Sequence, residues 1–174
     1  MEPLHVKAPA KINLFLRITG KRPDGYHDLH TLMCPLALYD TLTLSTGGKG
    51  VVVVCDHPGV PQDASNLAAR SAYLFIETVF AGNTPPVSGL TIHIDKKIPV
   101  GAGLGGGSSD AAAVLVAMND YFGKPLSTQA LMALGTRLGA DVPFFILGGP
   151  AQATGIGDRL EPFAHLTPWT ALLV

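Results

Sequence analysis

Hydrophobic and polar residues alternate along two stretches of the chain, which is the pattern of strands that bury one face. In residues 11–19, Ile or Leu occupies every second position, and residues 90–95 repeat the pattern with Leu90, Ile92 and Ile94. Shorter apolar runs bounded by turn residues also predict strands. Those strands are predicted over residues 29–38, 41–45, 51–55, 144–147, 151–154 and 169–174.

Three other segments have the 3.6-residue spacing of helices. Ser65 is the predicted N-cap of a helix whose apolar positions run from Leu67 to Val79 and which ends before Gly82. Two more helices are predicted over residues 111–122 and 128–138. Because strands and helices do not alternate regularly along the chain, their order predicts an α+β fold.

The composition narrows the class of protein. The chain has 174 residues, of which 47% are hydrophobic and 14% charged, and its net charge is −1; this excludes intrinsic disorder and a broadly basic nucleic-acid surface. No apolar run approaches the roughly 18–20 residues of a membrane span, and the first residues lack the pattern of a signal peptide. Cys34 and Cys55 are expected to be buried free thiols. We therefore expect a cytoplasmic protein without a membrane or nucleic-acid partner.

A glycine-rich segment is the strongest chemical signal in the sequence. Five of the seven residues 101–107 are glycine, and Ser108 and Ser109 follow them, just before a predicted helix. Glycine lets the backbone turn sharply and bring several N–H groups close to one ligand, and a helix N-terminus adds unpaired N–H groups. The combination predicts a phosphate site. A flexible linker is the alternative, and it is disfavoured because the segment joins a strand to a strongly patterned helix.

Two well-known phosphate loops do not fit this segment. No Gly-Lys-Ser/Thr follows the glycines, so the segment is not a Walker loop. Gly101, Gly103 and Gly106 match the spacing of the dinucleotide-binding fingerprint, but that loop follows a buried parallel strand. Here the preceding strand alternates with polar residues, and the candidate acidic residue, Asp120, lies at the end of a helix. The context therefore argues against a Rossmann fold.

The segment PVGAGLGGGSSDAA, at residues 99–112, is similar to the central phosphate-binding motif of the GHMP kinases, a superfamily that includes galactokinase, homoserine kinase and mevalonate kinase. Residues 8–16 with 22–29, and residues 138–144, resemble one family within it, the 4-diphosphocytidyl-2-C-methyl-D-erythritol kinases. The resemblance implies a two-layer GHMP-kinase N-terminal domain of sheet and helices over residues 1–166. A similar fold occurs in a ribosomal-protein domain.

The resemblance also implies a second domain, because that family has two domains and a second glycine-rich motif near its C-terminus. Nothing after residue 157 matches that motif, so residues 167–174 are interpreted as the start of a truncated second domain. We expect this chain alone to show little or no turnover and to self-associate, since the missing domain would leave an apolar surface exposed.

ATP and Mg²⁺ are the cofactors that the resemblance implies. Ser108 and Ser109 would lie near the β-phosphate, with Ser108 as a Mg²⁺ ligand. For Asn66 the alternative role is a helix cap, and for Lys96 it is an ordinary solvated lysine. The residues implied to contact the nucleotide are Asn66, Lys96, Pro99, Gly101, Gly103, Leu104, Gly105, Gly106, Gly107, Ser108 and Ser109.

The implied general base is Asp141, which is flanked by apolar residues that would raise the pKa of its carboxyl unless a cation offsets them. Lys11 is the candidate cation, and Asn13, on the same strand face, would orient the acceptor hydroxyl. Alternation alone would instead make Lys11 an exposed strand lysine.

Tyr26 and His27 follow a Pro-Asp-Gly turn, a position suited to presenting recognition residues. The resemblance assigns both to the cytosine of the substrate, whereas the alternative is a packed tyrosine beside a solvated histidine. The implied function is ATP-dependent phosphorylation of the 2-hydroxyl of 4-diphosphocytidyl-2-C-methyl-D-erythritol in non-mevalonate isoprenoid synthesis. The alternatives are a homoserine- or mevalonate-type kinase, or a non-catalytic nucleotide-binding or nucleic-acid-binding module.

Overall fold

The computed structural model describes residues 2–23, 25–164, 166–167 and 169–173. Within these residues the chain forms six strands and four helices. The elements in chain order are β1 (Leu4–Lys21), β2 (His27–Thr46), β3 (Gly50–Val54), α1 (Leu67–Val79), β4 (Gly89–Asp95), α2 (Gly106–Tyr121), α3 (Thr128–Thr136), α4 (Val142–Leu147), β5 (Ala151–Thr154) and β6 (Arg159–Pro162).

The six strands form one mixed sheet built around the long strand β2. The strand order is β3-β4-β2-β5-β6, and β1 pairs with β2 along most of its length. All pairs are antiparallel except β3 with β4, which are parallel because helix α1 connects them. One half of β2, at Thr41–Thr46, pairs with β4, and residues 31–33 pair with β5.

Helices cover one face of this sheet and bury its apolar row. Leu42 and Leu44 of β2 and Ile92 and Ile94 of β4 are each at most 3% exposed. They pack in one cluster with Phe75 of α1 and with residues of α2, α3 and α4. The α+β fold and its two layers are therefore confirmed, as is the burial of the free thiols Cys34 and Cys55. Among the described residues no helix is long and apolar enough to cross a membrane.

Helix α2 begins at Gly106, five residues earlier than predicted. Glycine is a poor residue for a helix interior, so the sequence pattern placed the start at Ala111. The structure instead uses the glycines as the first turn, with the N-cap Gly105 in the left-handed conformation at φ 73°. Ser108, Ser109 and Asp110 consequently lie inside the helix, not in the loop.

Two predicted strands are wrong. Residues 144–147 belong to helix α4, which has a proline in its first turn and ends at the left-handed Gly148. An apolar run this short fits either element, and these two end signals decide for the helix. The predicted strand over residues 169–174 is absent over residues 169–173, which pair with no described strand, and residue 174 lies outside the described residues.

The predicted half-burial of β1 is wrong for its second half. Leu14, Leu16 and Ile18 are 41%, 55% and 60% exposed, whereas Ala8 and Ala10 are fully buried. Register shifts between Pro9 and Lys11, Asn13 and Phe15, and Ile18 and Gly20 interrupt the alternation. The described helices also leave this half uncovered, so neither face of it becomes a core face.

Candidate functional site

The glycine-rich segment forms a loop of ten residues between the end of β4 and the start of α2. Gly101, Gly103 and Gly105 all have positive φ, at 77°, 74° and 73°, and the residues between them do not. Alternating left-handed and ordinary residues turn successive backbone N–H groups toward one side, which creates a concavity for anions. The loop lines a cavity of about 410 Å³, which is large enough for a nucleotide phosphate chain.

The N-terminus of α2 opens into the same cavity. Its N-cap, Gly105, supplies no side-chain hydrogen bond, so the first N–H groups of the helix are not capped by that residue. These groups and the helix dipole favour a negative charge at this point. The loop and the helix end therefore act together as one anion site.

Two glycines of the loop leave no room for a side chain. A Cβ on Gly105 would lie 2.9 Å from Cζ of Phe145 and 3.1 Å from Cγ of Lys11. A Cβ on Gly106 would lie 2.9 Å from Nζ of Lys96. Gly101 and Gly103, by contrast, have nothing within 4 Å of a Cβ, so at those positions the positive φ is the reason for glycine.

Asn66 closes the α1 side of the cavity, and it is also the N-cap of that helix. Its Oδ1 accepts from the backbone N–H of Ala68 at 2.8 Å, and its Nδ2 donates to the carbonyl of Pro61 at 2.6 Å. The predicted cap, Ser65, instead donates through Oγ to Asp63 at 2.6 Å. The cap role that the sequence left open for Asn66 is therefore present, together with its position in the cavity lining.

Lys96 is buried beneath the loop and is not the solvated lysine that the sequence allowed. Its side chain is 5% exposed, and its Nζ donates to Oδ2 of Asp40 at 2.6 Å and to Oδ2 of Asp110 at 2.8 Å. Burial alone would lower the pKa of Lys96, but the two carboxylates outweigh it and raise that pKa. Lys96 therefore stays charged while it is surrounded by protein.

Asp40 and Asp110 are site residues that the sequence analysis missed. Asp40, on β2, is fully buried, and its Oδ1 also accepts from the backbone N–H groups of Lys97 and Ile98 at 2.6 and 2.8 Å. Asp110 is 3% exposed, and its Oδ1 has no partner among the described residues. Burial raises the pKa of Asp110 to about 7, because Lys96 offsets only part of the desolvation. A hint was available in the sequence, since Asp110 lies within the segment 99–112 that resembles the phosphate-binding motif.

A second, less buried cluster lies beside the loop at Gly105. Nζ of Lys11 donates to Oδ1 of Asn13 at 2.9 Å and lies 3.5 Å from Oδ2 of Asp141. The backbone N–H of Lys11 donates to the carbonyl of Leu104 at 2.9 Å, which fastens β1 to the loop. The structure thus brings Lys11, Asn13 and Asp141 together next to the phosphate-sized cavity.

Asp141 lies at the N-terminus of a helix, but its side chain does not cap that helix. It precedes α4, but its side chain makes no capping hydrogen bond and is 35% exposed. The carboxylate is therefore left for the cation beside it, Lys11, as the sequence analysis suggested. Access to solvent on one side leaves room for a substrate hydroxyl to approach.

Ser108 and Ser109 do not share one environment, although the sequence grouped them. Ser108, in the first turn of α2, lines the loop cavity. Ser109 is 1% exposed, its Oγ has no partner among the described residues, and it faces a different cavity with Lys7 and Pro9. Of the two serines, Ser108 is thus the one that lines the loop cavity.

Tyr26 and His27 lie away from this cluster, at the far end of the β1–β2 hairpin. Tyr26 is 62% exposed, and His27 pairs with Lys21, the last residue of β1. Lys21 is eight residues beyond Asn13 along β1, and two register shifts interrupt the strand between them. The structure therefore does not bring this pair together with Lys11 and Asp141.

The described residues include no group of three His, Cys, Asp or Glu side chains that could hold a metal ion. A Mg²⁺ ion usually takes one or two protein ligands and completes its shell with phosphate oxygens and waters. Ser108, which lines the cavity, has a hydroxyl of the kind that can serve as one such ligand.

The family described as the GHMP kinases N terminal domain matches residues 66–149, which include α1, the loop and helices α2 to α4. Over these residues the chain has the fold of a GHMP kinase N-terminal domain. Mevalonate kinase from Methanococcus jannaschii shares this GHMP kinase fold, with a TM-score of 0.70 at 14% identity over 94% of this chain and 56% of that one.

More similar sequences are found within one family of GHMP kinases. The chain is 49% identical over 168 residues to 4-diphosphocytidyl-2-C-methyl-D-erythritol kinase of Syntrophotalea carbinolica, covering 96% of this chain and 58% of that protein. The enzyme of the same name from Clostridium acetobutylicum is 44% identical, with coverages of 98% and 59%. A crystal structure of 4-(cytidine 5'-diphospho)-2C-methyl-D-erythritol kinase superimposes with a TM-score of 0.77 at 45% identity, covering 92% of this chain and 55% of the other. The chain thus spans somewhat over half the length of these relatives.

Proposed function

We propose that this protein is an ATP-dependent kinase that phosphorylates the 2-hydroxyl of 4-diphosphocytidyl-2-C-methyl-D-erythritol, in the non-mevalonate route to isoprenoid precursors. The observation that carries the proposal is the contact between the two parts of the site. The Lys11 backbone bonds to the glycine-rich loop at Leu104, so the Lys11–Asp141 pair lies beside the cavity for the phosphates. A kinase needs this juxtaposition of a phosphate site and an acceptor site.

In this proposal the loop binds the phosphates of ATP through its backbone N–H groups, and Mg²⁺ accompanies the nucleotide with Ser108 as a ligand. Asn66, Lys96, Pro99 and the glycines of the loop form the walls. Phosphoryl transfer depends mostly on positioning and on electrostatic stabilisation, and a rigid row of N–H groups supplies both.

Asp141 accepts the proton of the acceptor hydroxyl in this proposal, and Lys11 holds its carboxylate in place. The distance of 3.5 Å between Nζ and Oδ2 allows Lys11 to serve the transferred phosphoryl group as well. Asn13, which already accepts from Lys11, has an Nδ2 that can orient the acceptor.

The cytidine specificity of the proposal is supported by the relatives that share 44–49% identity with this chain. We assign Tyr26 and His27 to the cytosine ring, which would then bind along the exposed hairpin. The division at residues 166 and 167 and a cytoplasmic location belong to the proposal and stay predictions, as does the low turnover expected of this chain alone.

The decisive experiment is a coupled ADP-release assay with a panel of acceptors. The full-length protein, with the second domain that the resemblance implies, is supplied with MgATP and either the cytidine diphosphate-linked methylerythritol, homoserine or mevalonate. We expect ADP release only with the first acceptor. Release with homoserine or mevalonate instead would replace the proposed substrate, and MgATP binding with no release from any acceptor would favour a non-catalytic nucleotide module.

A matched pair of glycine variants tests the phosphate loop itself. Gly105→Val places a Cβ against Phe145 and Lys11 at a positive φ, so we expect MgATP affinity to fall at least tenfold. Gly48→Val meets the same φ restriction, at 72°, in open space far along the sequence, and it controls for backbone strain. Calorimetric titration with MgATP measures both, and equal affinities in the two variants would remove the loop from the proposal.

A further inference from the structure

A short segment of β1 carries two residues that the proposed function uses, Lys11 and Asn13. Residues 11–13 pair with residues 33–35 of β2 in a ladder of three residue pairs. The register shifts on both sides of this ladder, before Lys11 and between Asn13 and Phe15. Each shift disrupts the hydrogen bonding between the strands locally. Pairing with β2 alone therefore holds this segment less firmly than an uninterrupted ladder would.

The shift after Asn13 is a β-bulge, and it sets the face of the sheet on which Asn13 lies. Asn13 pairs with Met33, and Phe15 pairs with Leu32, so Leu14 is an extra residue on β1. Paired residues share one face of a sheet, and neighbouring residues of a strand lie on opposite faces. Asn13 and Phe15 consequently lie on opposite faces. A bulge displaced by one residue would put Leu14 opposite Met33 and turn Asn13 away from that face.

The position of the bulge thereby determines which side chains the acceptor hydroxyl can meet. Lys11 pairs with Pro35, two residues from Met33, so Lys11 and Asn13 lie on one face of the sheet. Nζ of Lys11 donates to Oδ1 of Asn13 at 2.9 Å and lies 3.5 Å from Oδ2 of Asp141. A displaced bulge would separate Asn13 from this ion pair and leave the acceptor hydroxyl without one of its proposed contacts.

Thr31 fastens the bulge through its side chain. It is 1% exposed, and its Oγ1 donates to the carbonyl of Phe15, the first paired residue after the bulge. On its other side Thr31 pairs with Ala153 of β5, which is fully buried, so its own position is fixed within the sheet. At the opposite end of the segment, the N–H of Lys11 donates to the carbonyl of Leu104 at 2.9 Å. Hydrogen bonds from outside the ladder thus tie both ends of the segment.

We propose that Thr31 is a positioning residue for the kinase reaction, whose hydroxyl fixes the bulge after Asn13 and so holds Lys11 and Asn13 in place beside Asp141. The inference rests on the proposed function, and Thr31 acts through the backbone of β1, not by contact with the reacting atoms. A displacement of about 1 Å in a reacting group can cost about a hundredfold in rate. Loss of the hydroxyl should therefore lower turnover, while the glycine-rich loop keeps its affinity for MgATP.

Steady-state kinetics of the full-length protein, with the second domain that the resemblance implies, test the inference. Thr31→Val keeps the branched shape of the side chain but has no donor for the carbonyl of Phe15. We expect its kcat with the cytidine diphosphate-linked methylerythritol to fall about ten- to a hundredfold. Its Kd for MgATP, measured by calorimetric titration, should stay within about twofold of the wild-type value.

Two further variants separate the hydroxyl from the fold. Thr31→Ser keeps the donor and loses only a methyl group, so its kcat should stay within about threefold of wild type. Thr43→Val is the same change on the same strand, where the hydroxyl is hydrogen-bonded to Nδ1 of the exposed His5 at 3.0 Å, and it should behave as wild type. If Thr31→Val does not fold, Thr31→Ala takes its place, because it differs from Thr31→Ser only in the hydroxyl.

Hydrogen exchange tests the bulge without measuring activity. The backbone amides of residues 11–16 should exchange at least about tenfold faster in Thr31→Val than in the wild type, because fast local opening is typical of segments with few fixed hydrogen bonds. Thr31→Ser should exchange as the wild type does. Equal exchange in all three proteins would overturn the inference.

The kinetic outcomes separate this inference from the proposed function. An unchanged kcat in folded Thr31→Val, or an equal loss in Thr31→Val and Thr31→Ser, would overturn the role of the hydroxyl and leave the proposed function intact. A loss of MgATP affinity as large as the loss of kcat would assign Thr31 to the fold and overturn the inference as well. A wild-type protein that releases no ADP with any acceptor would overturn the proposed function and this inference together.

Discussion

Lys11 and Lys96 meet the glycine-rich loop at neighbouring residues, Gly105 and Gly106, but their surroundings differ sharply. Lys96 is bound by two buried carboxylates at 2.6 and 2.8 Å, whereas Lys11 lies 3.5 Å from a single carboxylate that is 35% exposed. Lys96 is enclosed by its partners, whereas the single partner of Lys11 is partly open to solvent.

The difference shows how one loop can be held in place by a buried cluster and also lie beside an accessible carboxylate. The Lys96 cluster fixes residues 96–98 and the first turns of α2, so the backbone donors of the loop keep their direction. The Lys11 cluster leaves its carboxylate, Asp141, accessible to a hydroxyl. We therefore expect changes around Lys96 to act on stability and nucleotide affinity, and changes around Lys11 to act on turnover.

The largest expected effect is on turnover, in Asp141→Asn. The variant keeps the shape of the side chain but cannot accept the acceptor proton, and loss of a general base typically costs about 10²–10⁴ in rate. A loose transition state for phosphoryl transfer would place the loss at the lower end. Steady-state ADP release by the full-length protein measures the loss of turnover, and an unchanged MgATP affinity is the control. Unchanged turnover would remove Asp141 from the mechanism.

Lys96→Met should produce the largest loss of stability. It leaves Asp40 and Asp110 buried without their cation, and breaking a buried ion pair in this way costs about 3–5 kcal/mol. Lys11→Met is the matched control and should lose no more than about 1 kcal/mol, because its ion pair is looser and partly solvated. Urea unfolding at pH 8 measures both free energies. Similar losses in the two variants would contradict the comparison of the lysines.

The dependence of stability on pH should reveal Asp110. Its pKa is raised in the folded protein, so the folded state binds its proton more tightly, and stability falls as the pH rises from about 4 to about 7. The slope is at most about 1.4 kcal/mol per pH unit for this one group. The unfolding free energy of wild type minus that of Asp110→Asn, measured from pH 5 to 8, isolates it. A difference that does not change across this range would refute the raised pKa.

The smallest expected effect concerns the hairpin that lies away from both lysines. Tyr26→Ala should weaken the cytidine-linked substrate by roughly 1–3 kcal/mol, the usual range for stacking on a base, and leave MgATP affinity unchanged. Separate KM determinations for the two substrates measure this. Equal losses for both would mean that Tyr26 supports the fold and not the cytosine.

Local patterns in the sequence were enough to predict the strands over residues 90–95 and 51–55, the helix from Leu67, and the glycine-rich turn before α2. Each depends on a periodic pattern or on glycine's freedom at positive φ, and both are properties of neighbouring residues. Where several local signals competed, the prediction failed. The first turn of α2 was not predicted because it begins with glycines, which are poor helix formers. The apolar run at residues 144–147 formed a helix because a proline precedes it and the left-handed Gly148 ends it.

The sequence by itself determined the glycine-rich turn before α2, and through the resemblance it predicted the pairing of Lys11 with Asp141, which lie 3.5 Å apart. Only the tertiary structure decided that Lys96 is buried, since its partner Asp40 lies 56 residues away on a different strand. It also separated Ser108 from Ser109 and left Leu14, Leu16 and Ile18 exposed. Alternation and spacing describe one element at a time, whereas burial and charge pairing depend on which elements meet.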